Sequence, residues 1–424
     1  MRAIFGILVL IGIGWLLSTN RKAINWTTVI GSFVLQFLLA ILILKTPGVG
    51  AAFDWLAKGF VKVISFTDFG SDFLLGSWQL EGKVAPGLFN FAFRILPTII
   101  FFSALSALFY YLGILQKVVY GFAWIMKRTL RLSGSESLAA AGNVFLGQTE
   151  SPLLIRPYLK DMTKSEIMCM MTGGMATIAG GVLASYVQFL GGENVVEQQI
   201  FAKHLLAASI MSAPAAIAAA KLLVPETDRI DNRMSIADEK MGDNVLEALA
   251  NGTSEGLKLA VNVGAILLVF TALVYFGNYI LFKAADPIGL NEWIALNTPY
   301  DKFSFEFMVG YIGAPIAWLI GVDSQDALLV GQLLGEKTIL NEFYAYATMG
   351  SMKSEGLFAS EKSVVIATYV LCGFANFASI GIQIGGIGAL VPSRRGLLSS
   401  LGVRALIGGT LACLFTAAIA GLLT

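Results

Sequence analysis

The sequence predicts an all-α polytopic membrane protein with eight transmembrane helices, two re-entrant hairpins in an inverted repeat, and amphipathic helices in the membrane interface. Three observations lead there. Hydrophobic residues make up 56% of the 424-residue chain and charged ones only 13%, against roughly 25% charged in a soluble domain. Apolar runs long enough to cross the hydrocarbon core recur along the whole chain. The short alternating strands of an outer-membrane barrel are missing, and backbone in lipid then satisfies its own polar groups only as helix.

The runs cover residues 4–18, 26–44, 88–115, 167–190, 205–224, 257–281, 364–387 and 401–423. The first follows Met1 and Arg2 and lacks an A-x-A-like cleavage site, so it reads as a retained span rather than a signal peptide. Asp54, Lys58 and Lys62 stand at steps of four within residues 51–66, with Phe53, Trp55, Phe60, Val63 and Ile64 over much of the remaining surface. That pattern suits a helix lying in the interface, and residues 116–132, with Lys117, Lys127, Arg128 and Arg131 among aromatics, suit a second. The segment 225–256 reads as a solvated polar connection.

Arg21 and Lys22, the basic residues between Lys117 and Lys164, then Arg229, Arg233 and Lys240, and finally Arg394 and Arg395 fall on one side if both termini lie outside. The positive-inside bias therefore places both ends in the external or periplasmic space.

Two stretches are too polar for ordinary spans and too apolar for ordinary loops. In "GNVFLGQTESPLLIRPYL", arms at 138–146 and 152–159 flank the polar centre from Gly147 to Ser151. In "DALLVGQLLGEKTILNEFYAYATM", arms at 327–334 and 343–349 flank Gly335, Glu336, Lys337, Asn341 and Glu342. Each arm is about half a bilayer long, the plan of a re-entrant hairpin.

Each hairpin precedes a span rich in glycine. The first holds Gly173, Gly174, Gly180 and Gly181 around Thr177; the second holds Asn376, Ser379, Gly381, Gly385 and Gly386. Glycine costs about 1 kcal/mol in a helix interior relative to alanine, so both spans are expected to unwind locally. The unit of hairpin, interrupted helix and helix thus occurs twice, with the second copy inverted, which is the plan of secondary transporters. A carboxylate deep in a bilayer needs a partner or a task. Glu150 and Glu342 occur one per hairpin; structural pairing with Arg156 and Lys337 is the alternative reading.

Other chemistries find little support. His204 is the only histidine and starts a span, so His-based metal sites and triads lack components. Ser135 and Ser151 have no base placed to make them hydrolytic nucleophiles. Cys169, Cys372 and Cys413 lie in apolar runs without disulfide, zinc or redox spacing. "GQLLGEKT" misses the phosphate-loop spacing because Glu336 separates Gly335 from Lys337. A net charge of +1 calls for no nucleic acid. No enzyme and no cofactor is indicated, and uphill transport would draw on an ion gradient; a passive channel is the alternative outside the transporter class.

The motifs "GNVFLGQTESPLLIRPYL", "MTGGMATIAGGVLASY", "SIMSAPAAIAAAKLLVPE" and "NEFYAY" resemble, in this order, those of the concentrative nucleoside transporters, from about Gly87 onward. The chain looks like a bacterial member, without the extra N-terminal spans of animal members, and this implies a multi-pass protein of the bacterial inner membrane. The resemblance implies a homotrimer in which a transport domain moves like an elevator against a scaffold. Residues 1–132 would be mainly scaffold, 133–224 the first transport repeat, 225–322 the polar loop and scaffold span 6 with its connecting helices, and 323–424 the second transport repeat.

By the same resemblance Gln148, Thr149 and Glu150 would meet the nucleobase, with Val182 as an apolar wall. Glu342, Asn376 and Ser379 would hold the ribose hydroxyls, and Phe374 would lie against base or sugar. Sodium, the implied coupling ion, would bind the Asn143 and Thr177 side chains and the Leu146 and Ile178 carbonyls; proton coupling is the alternative. Tyr344 departs from the commoner valine, which leaves the pocket shape beside Glu342 open, and Leu146 stands where valine or isoleucine is frequent.

Overall fold

A computed structural model describes residues 2–76, 91–236 and 242–424, and the described residues hold helices without any strand. The chain opens with α1 (Arg2–Leu16), α2 (Trp26–Leu44), α3 (Pro47–Leu75), α4 (Leu96–Tyr111) and α5 (Ile114–Leu130). A first hairpin, α6 (Gly134–Phe145) and α7 (Ser151–Leu154), leads to an interrupted helix, α8 (Lys164–Ala176) and α9 (Gly180–Gly191), then to α10 (Val195–Leu223). The middle of the chain is α11 (Val245–Ala285), α12 (Leu290–Asn297) and α13 (Phe305–Leu319). The second hairpin, α14 (Ala327–Ile339) and α15 (Glu342–Ser354), is followed by a second interrupted helix, α16 (Glu361–Leu371) and α17 (Phe377–Leu390), and by α18 (Arg395–Leu423).

Each predicted apolar run is helical over most of its described length, with breaks at 177–179 in the fourth and 372–376 in the seventh; residues 88–90 of the third run, Gly87 and Lys240 lie outside the described residues. Local chemistry sets the helix starts. Ser133 accepts from the Glu136 N–H at 3.1 Å to cap α6, Thr163 and Glu166 cap α8 reciprocally, and Asn194 and Asn244 cap α10 and α11. Pro214 and Pro315 sit inside α10 and α13.

Burial sorts the long helices into two sets. The apolar window of α10 is 89% buried, whereas that of α11 is only 17% buried, so α10 belongs to an inner bundle and α11 to the perimeter. With α8, α9 and α18 on the inside, the centre is lined by small side chains that let helices approach closely. On the perimeter, α11 lays Gly252 and Gly256 against α4: a Cβ at either would come within 2.8 Å of Ala104 Cα or Ile100 Cα. The amphipathic segments are helical as expected. On α3, Asp54 pairs with Lys203 of α10 at 2.7 Å, while Trp55, Phe69 and Phe73 stay exposed as an interfacial helix requires.

Four expectations are corrected. The polar connection ends at Asn244 rather than Gly256, because the Asn244 cap and the Gly252–Gly256 contact with α4 carry helix into that sequence. The second hairpin turns only at Leu340 and Asn341, so Gly335, Glu336 and Lys337 are part of the first arm, whose helix is buried enough to absorb them. The second interruption falls at Cys372–Asn376, upstream of Gly381, Gly385 and Gly386, which α17 tolerates inside its helix. His204 lies within α10 rather than at its start, with Nδ1 3.2 Å from the Tyr369 hydroxyl.

A close crossing joins α13 to α14: a Cβ on Gly331 would lie 2.6 Å from Gly310 O and 2.7 Å from the Gly313 carbonyl carbon. Gly331→Ala is expected to cost about 1–3 kcal/mol through forced separation of the two helices. Gly277→Ala on α11, where a Cβ meets nothing within 4 Å, should be neutral or stabilising by up to about 1 kcal/mol. Melting of the detergent-purified variants checks the contrast.

Candidate functional site

The site is built where two helices stop inside the buried bundle. Helix α8 stops at Ala176, and Thr177 (φ −117°, ψ 169°) and Ala179 (φ −67°, ψ 146°) run extended before α9 begins. Helix α16 stops at Leu371, and Gly373 turns the chain with φ +127°. A Cβ on Gly373 would sit 2.8 Å from Met175 O and from the carbonyl carbon and oxygen of Ala176. The interruptions therefore touch backbone to backbone, in a conformation and a space that admit glycine alone. Helix α18 supports both: a Cβ on Gly409 would be 2.7 Å from Met175 Cβ and 3.3 Å from Ala375 Cβ, and the Cys413 thiol donates to Cys372 O at 2.8 Å.

Hydrogen bonds join the two hairpins across this crossing. Glu342, in the first turn of α15, accepts from Asn376 Nδ2 at 2.6 Å and from the Tyr186 hydroxyl at 3.3 Å. Asn376 caps α17 by accepting from the Ser379 N–H at 2.8 Å. Ser379 Oγ accepts from Gln148 Nε2 at 3.2 Å, and Gln148 Oε1 accepts from Gln383 Nε2 at 3.1 Å. A continuous polar path thus runs from the tip of the first hairpin to Glu342 on the second. The start of α15 and the start of α17 both face it, so the partial positive charge of two helix N-termini favours an anion or an acceptor there.

The sequence-predicted residues divide accordingly. Gln148, Glu342, Asn376 and Ser379 are buried and share one network. Thr149 and Glu150 remain on the first tip: Thr149 packs on α17, where a Cβ at Gly386 would meet its Cγ2 at 2.8 Å, and half-buried Glu150 accepts from the Gly147 N–H at 3.3 Å. Val182 is buried in the first turn of α9, and half-buried Phe374 follows Gly373, so each stands at one interruption. Lys337 does not pair with Glu342. Its ammonium donates instead to Val370 O at 2.8 Å and Cys413 Sγ at 3.2 Å.

Tyr344 is half-buried on α15. Two residues along a helix turn the side chain about 200°, which takes it away from the partners of Glu342.

Asn143 lies against α8, where a Cβ on Gly173 would meet its Nδ2 at 2.7 Å, and the first tip lies against the first interruption, where a Cβ on Gly147 would be 3.7 Å from Ala179 Cβ; Leu146, Thr177 and Ile178 adjoin that contact in sequence. Asn143 Nδ2 donates to Met170 O at 3.2 Å, which leaves its buried Oδ1 without a hydrogen-bond partner. The Thr177 hydroxyl donates to Gly173 O at 2.8 Å and so keeps its oxygen lone pairs free. Among the described residues no donor reaches the Leu146 or Ile178 carbonyl. A hard-oxygen set with an open buried acceptor suits a small cation such as sodium and not a soft metal.

Sequence reasoning missed Tyr186 and Gln383. Gln383 donates to both Gln148 Oε1 and Met171 O, the latter at 3.0 Å. Its signal was available: one amide inside "SIGIQIGGIG" is costly without a partner.

Comparison with known proteins gives this geometry a family. The model described as the C-terminus of Na+ dependent nucleoside transporters matches residues 204–421, that of their N-terminus residues 5–78, and a model described as nucleoside recognition residues 92–193. The chain belongs to the Na+-dependent, or concentrative, nucleoside transporter family. It is 40% identical to human solute carrier family 28 member 3 over 99% of its own length and 59% of that protein's. It is 41% identical to an uncharacterized transporter of Haemophilus influenzae, covering 100% of this chain and 97% of the relative. The chain spans about three-fifths of the length of the animal relatives it matches. Among solved structures it resembles CNTnw in an inward-facing substrate-bound state, at 38% identity with a TM-score of 0.88 over 100% of this chain and 97% of that one. Members of this family are transporters and not enzymes, and the fold is that of a multi-pass membrane transporter.

Asn376 carries two bonds, one to its own helix and one to Glu342. Asn376→Ser should keep the cap and lose the reach to Glu342, whereas Asn376→Ala should lose both, a difference of about 0.5–2 kcal/mol for the cap alone. Melting temperatures without substrate are expected to fall in the order native, Ser, Ala.

Proposed function

We propose that this chain is a sodium-coupled nucleoside symporter that takes up nucleosides such as uridine by elevator-type alternating access, as a homotrimer in a bacterial inner membrane with both termini in the periplasm. One observation carries the reading: the path Gln148–Ser379–Asn376–Glu342, which joins the two hairpins in buried surroundings next to an oxygen set with an open acceptor.

The residue chemistry fits an uncharged, sugar-bearing substrate. Glu342 is an acceptor only, held by Asn376 and Tyr186, and suits the donor hydroxyls of ribose. Ser379 and Asn376 add hydroxyl and amide groups to the same end. Gln148, Thr149 and Glu150 offer both donors and acceptors to the edge of a base, with Val182 as an apolar wall and Phe374 against base or sugar. The bond from Gln148 to Ser379 joins the base end to the sugar end, so a substrate between them exchanges one internal contact for several of its own.

Coupling follows from shared structure. Gln148 lies on the same tip as Leu146, and Asn143 is three residues before that tip in sequence terms. A sodium ion on Asn143, Leu146, Thr177 and Ile178 would fix the tip and the first interruption, and would thereby set Gln148 to Glu150 for the substrate. Two hairpins and two interrupted helices in inverted order, among eight spans, would provide the two access routes.

Uridine uptake into proteoliposomes is expected to need an inward sodium gradient. Glu342→Gln should lower it about 10- to 100-fold, since a hydrogen bond to a charged group is worth roughly 1.5–3 kcal/mol. Equal uptake with potassium in place of sodium on both sides at fixed pH overturns sodium coupling, and stimulation by external acid under those conditions assigns the role to protons. Ion conductance in planar bilayers without any need for a gradient overturns transport in favour of a channel.

A further inference from the structure

The two hairpins end their first helices in parallel ways. Helix α6 ends at Phe145 and α14 at Ile339, so Asn143 and Lys337 occupy the same position before each end. Both are 1% exposed. Each side chain reaches the interrupted helix of its own half: Asn143 Nδ2 donates to Met170 O of α8 at 3.2 Å, and Lys337 Nζ donates to Val370 O of α16 at 2.8 Å.

What differs is the charge. Asn143 has a buried Oδ1 without a hydrogen-bond partner. Lys337 presents an ammonium to the second, also 3.2 Å from Cys413 Sγ, while the Cys413 thiol donates to Cys372 O at 2.8 Å. Val370 and Cys372 supply the last carbonyls of α16, the negative end of a helix that stops in a dry interior, where a positive charge is stabilising.

We propose that Lys337 is a tethered cation, standing in the second half of the protein where a free coupling ion binds in the first, so that one sodium ion suffices for each transport cycle. The proposal rests on the sodium-symport reading above and makes Lys337 a positioning residue that sets ion stoichiometry. At the hairpin tips, Glu150 would then be matched by sodium in the first half and Glu342 by Lys337 in the second.

Lys337→Asn places the chemistry of Asn143 in the second half, and Lys337→Arg keeps the charge. Sodium is titrated against choline at constant ionic strength, with uridine uptake and the melting temperature of purified protein as readouts. Native protein and Lys337→Arg are expected to show a Hill coefficient near about 1, and Lys337→Asn one rising toward about 2. Lys337→Asn should also melt lower in choline and regain that loss at high sodium, as ligand-linked stabilisation requires; this readout holds even where the variant transports nothing. A Lys337→Asn protein destabilised equally in sodium and choline, with the native sodium dependence, overturns the inference alone. A native protein indifferent to sodium in both assays overturns the symport reading with it.

Discussion

Two helices stop inside an apolar bundle and cross at their stopping points, and the rest of the structure answers to that constraint. Every helix end leaves backbone donors and acceptors without partners, and the interior of a membrane protein has little water to supply them. Gly373 lies directly on the Met175–Ala176 backbone, so neither interruption can relax into a longer helix without displacing the other. The freed groups must be met by side chains. Lys337, Cys413 and Asn376 do this for the second interruption, and Asn143 and Thr177 border the first.

The surrounding helices are specialised for the same task. Helix α18 brings glycine and cysteine against the crossing, since any larger side chain at Gly409 would collide with Met175 and Ala375. Helix α10 contributes Ser209, whose hydroxyl donates to Val144 O at 2.9 Å just before the first tip. The perimeter helices are packed differently. On α11 small residues face α4, while Leu268, Tyr275 and Phe276 point outward. A buried polar centre inside an apolar shell is thus produced by two kinds of close approach, one that holds backbone ends together and one that joins the shell.

The electrostatic plan is spare. Glu342 stands in the first turn of α15 and accepts from the residue that caps α17, so two helix N-termini support one carboxylate. Lys337 supports the opposite helix end. No ion pair joins them, and each charge is held by hydrogen-bonding groups that suit it. That leaves Glu342 available as an acceptor, where a direct partner such as Lys337 would occupy it.

Much of this was legible from residue order. Apolar runs located the helices because lipid permits few other structures, and the two clusters "GQTES" and "NEF" stood out because polar groups in such a chain are costly without a use. The hairpins, the first interruption between Gly174 and Gly180, and the motifs shared with the nucleoside transporters followed from local composition. Tertiary contacts decided what local composition leaves open. The second interruption sits at Gly373 and not at the richer glycine cluster of α17, because only Gly373 must pass against another backbone. Gln383 and Tyr186 enter the site, and Lys337 leaves Glu342, through partners more than thirty residues away in sequence. Periodicity and polarity act within one helix and can be read along the chain; which polar groups satisfy one another depends on distances between helices, which exist only once the bundle has closed.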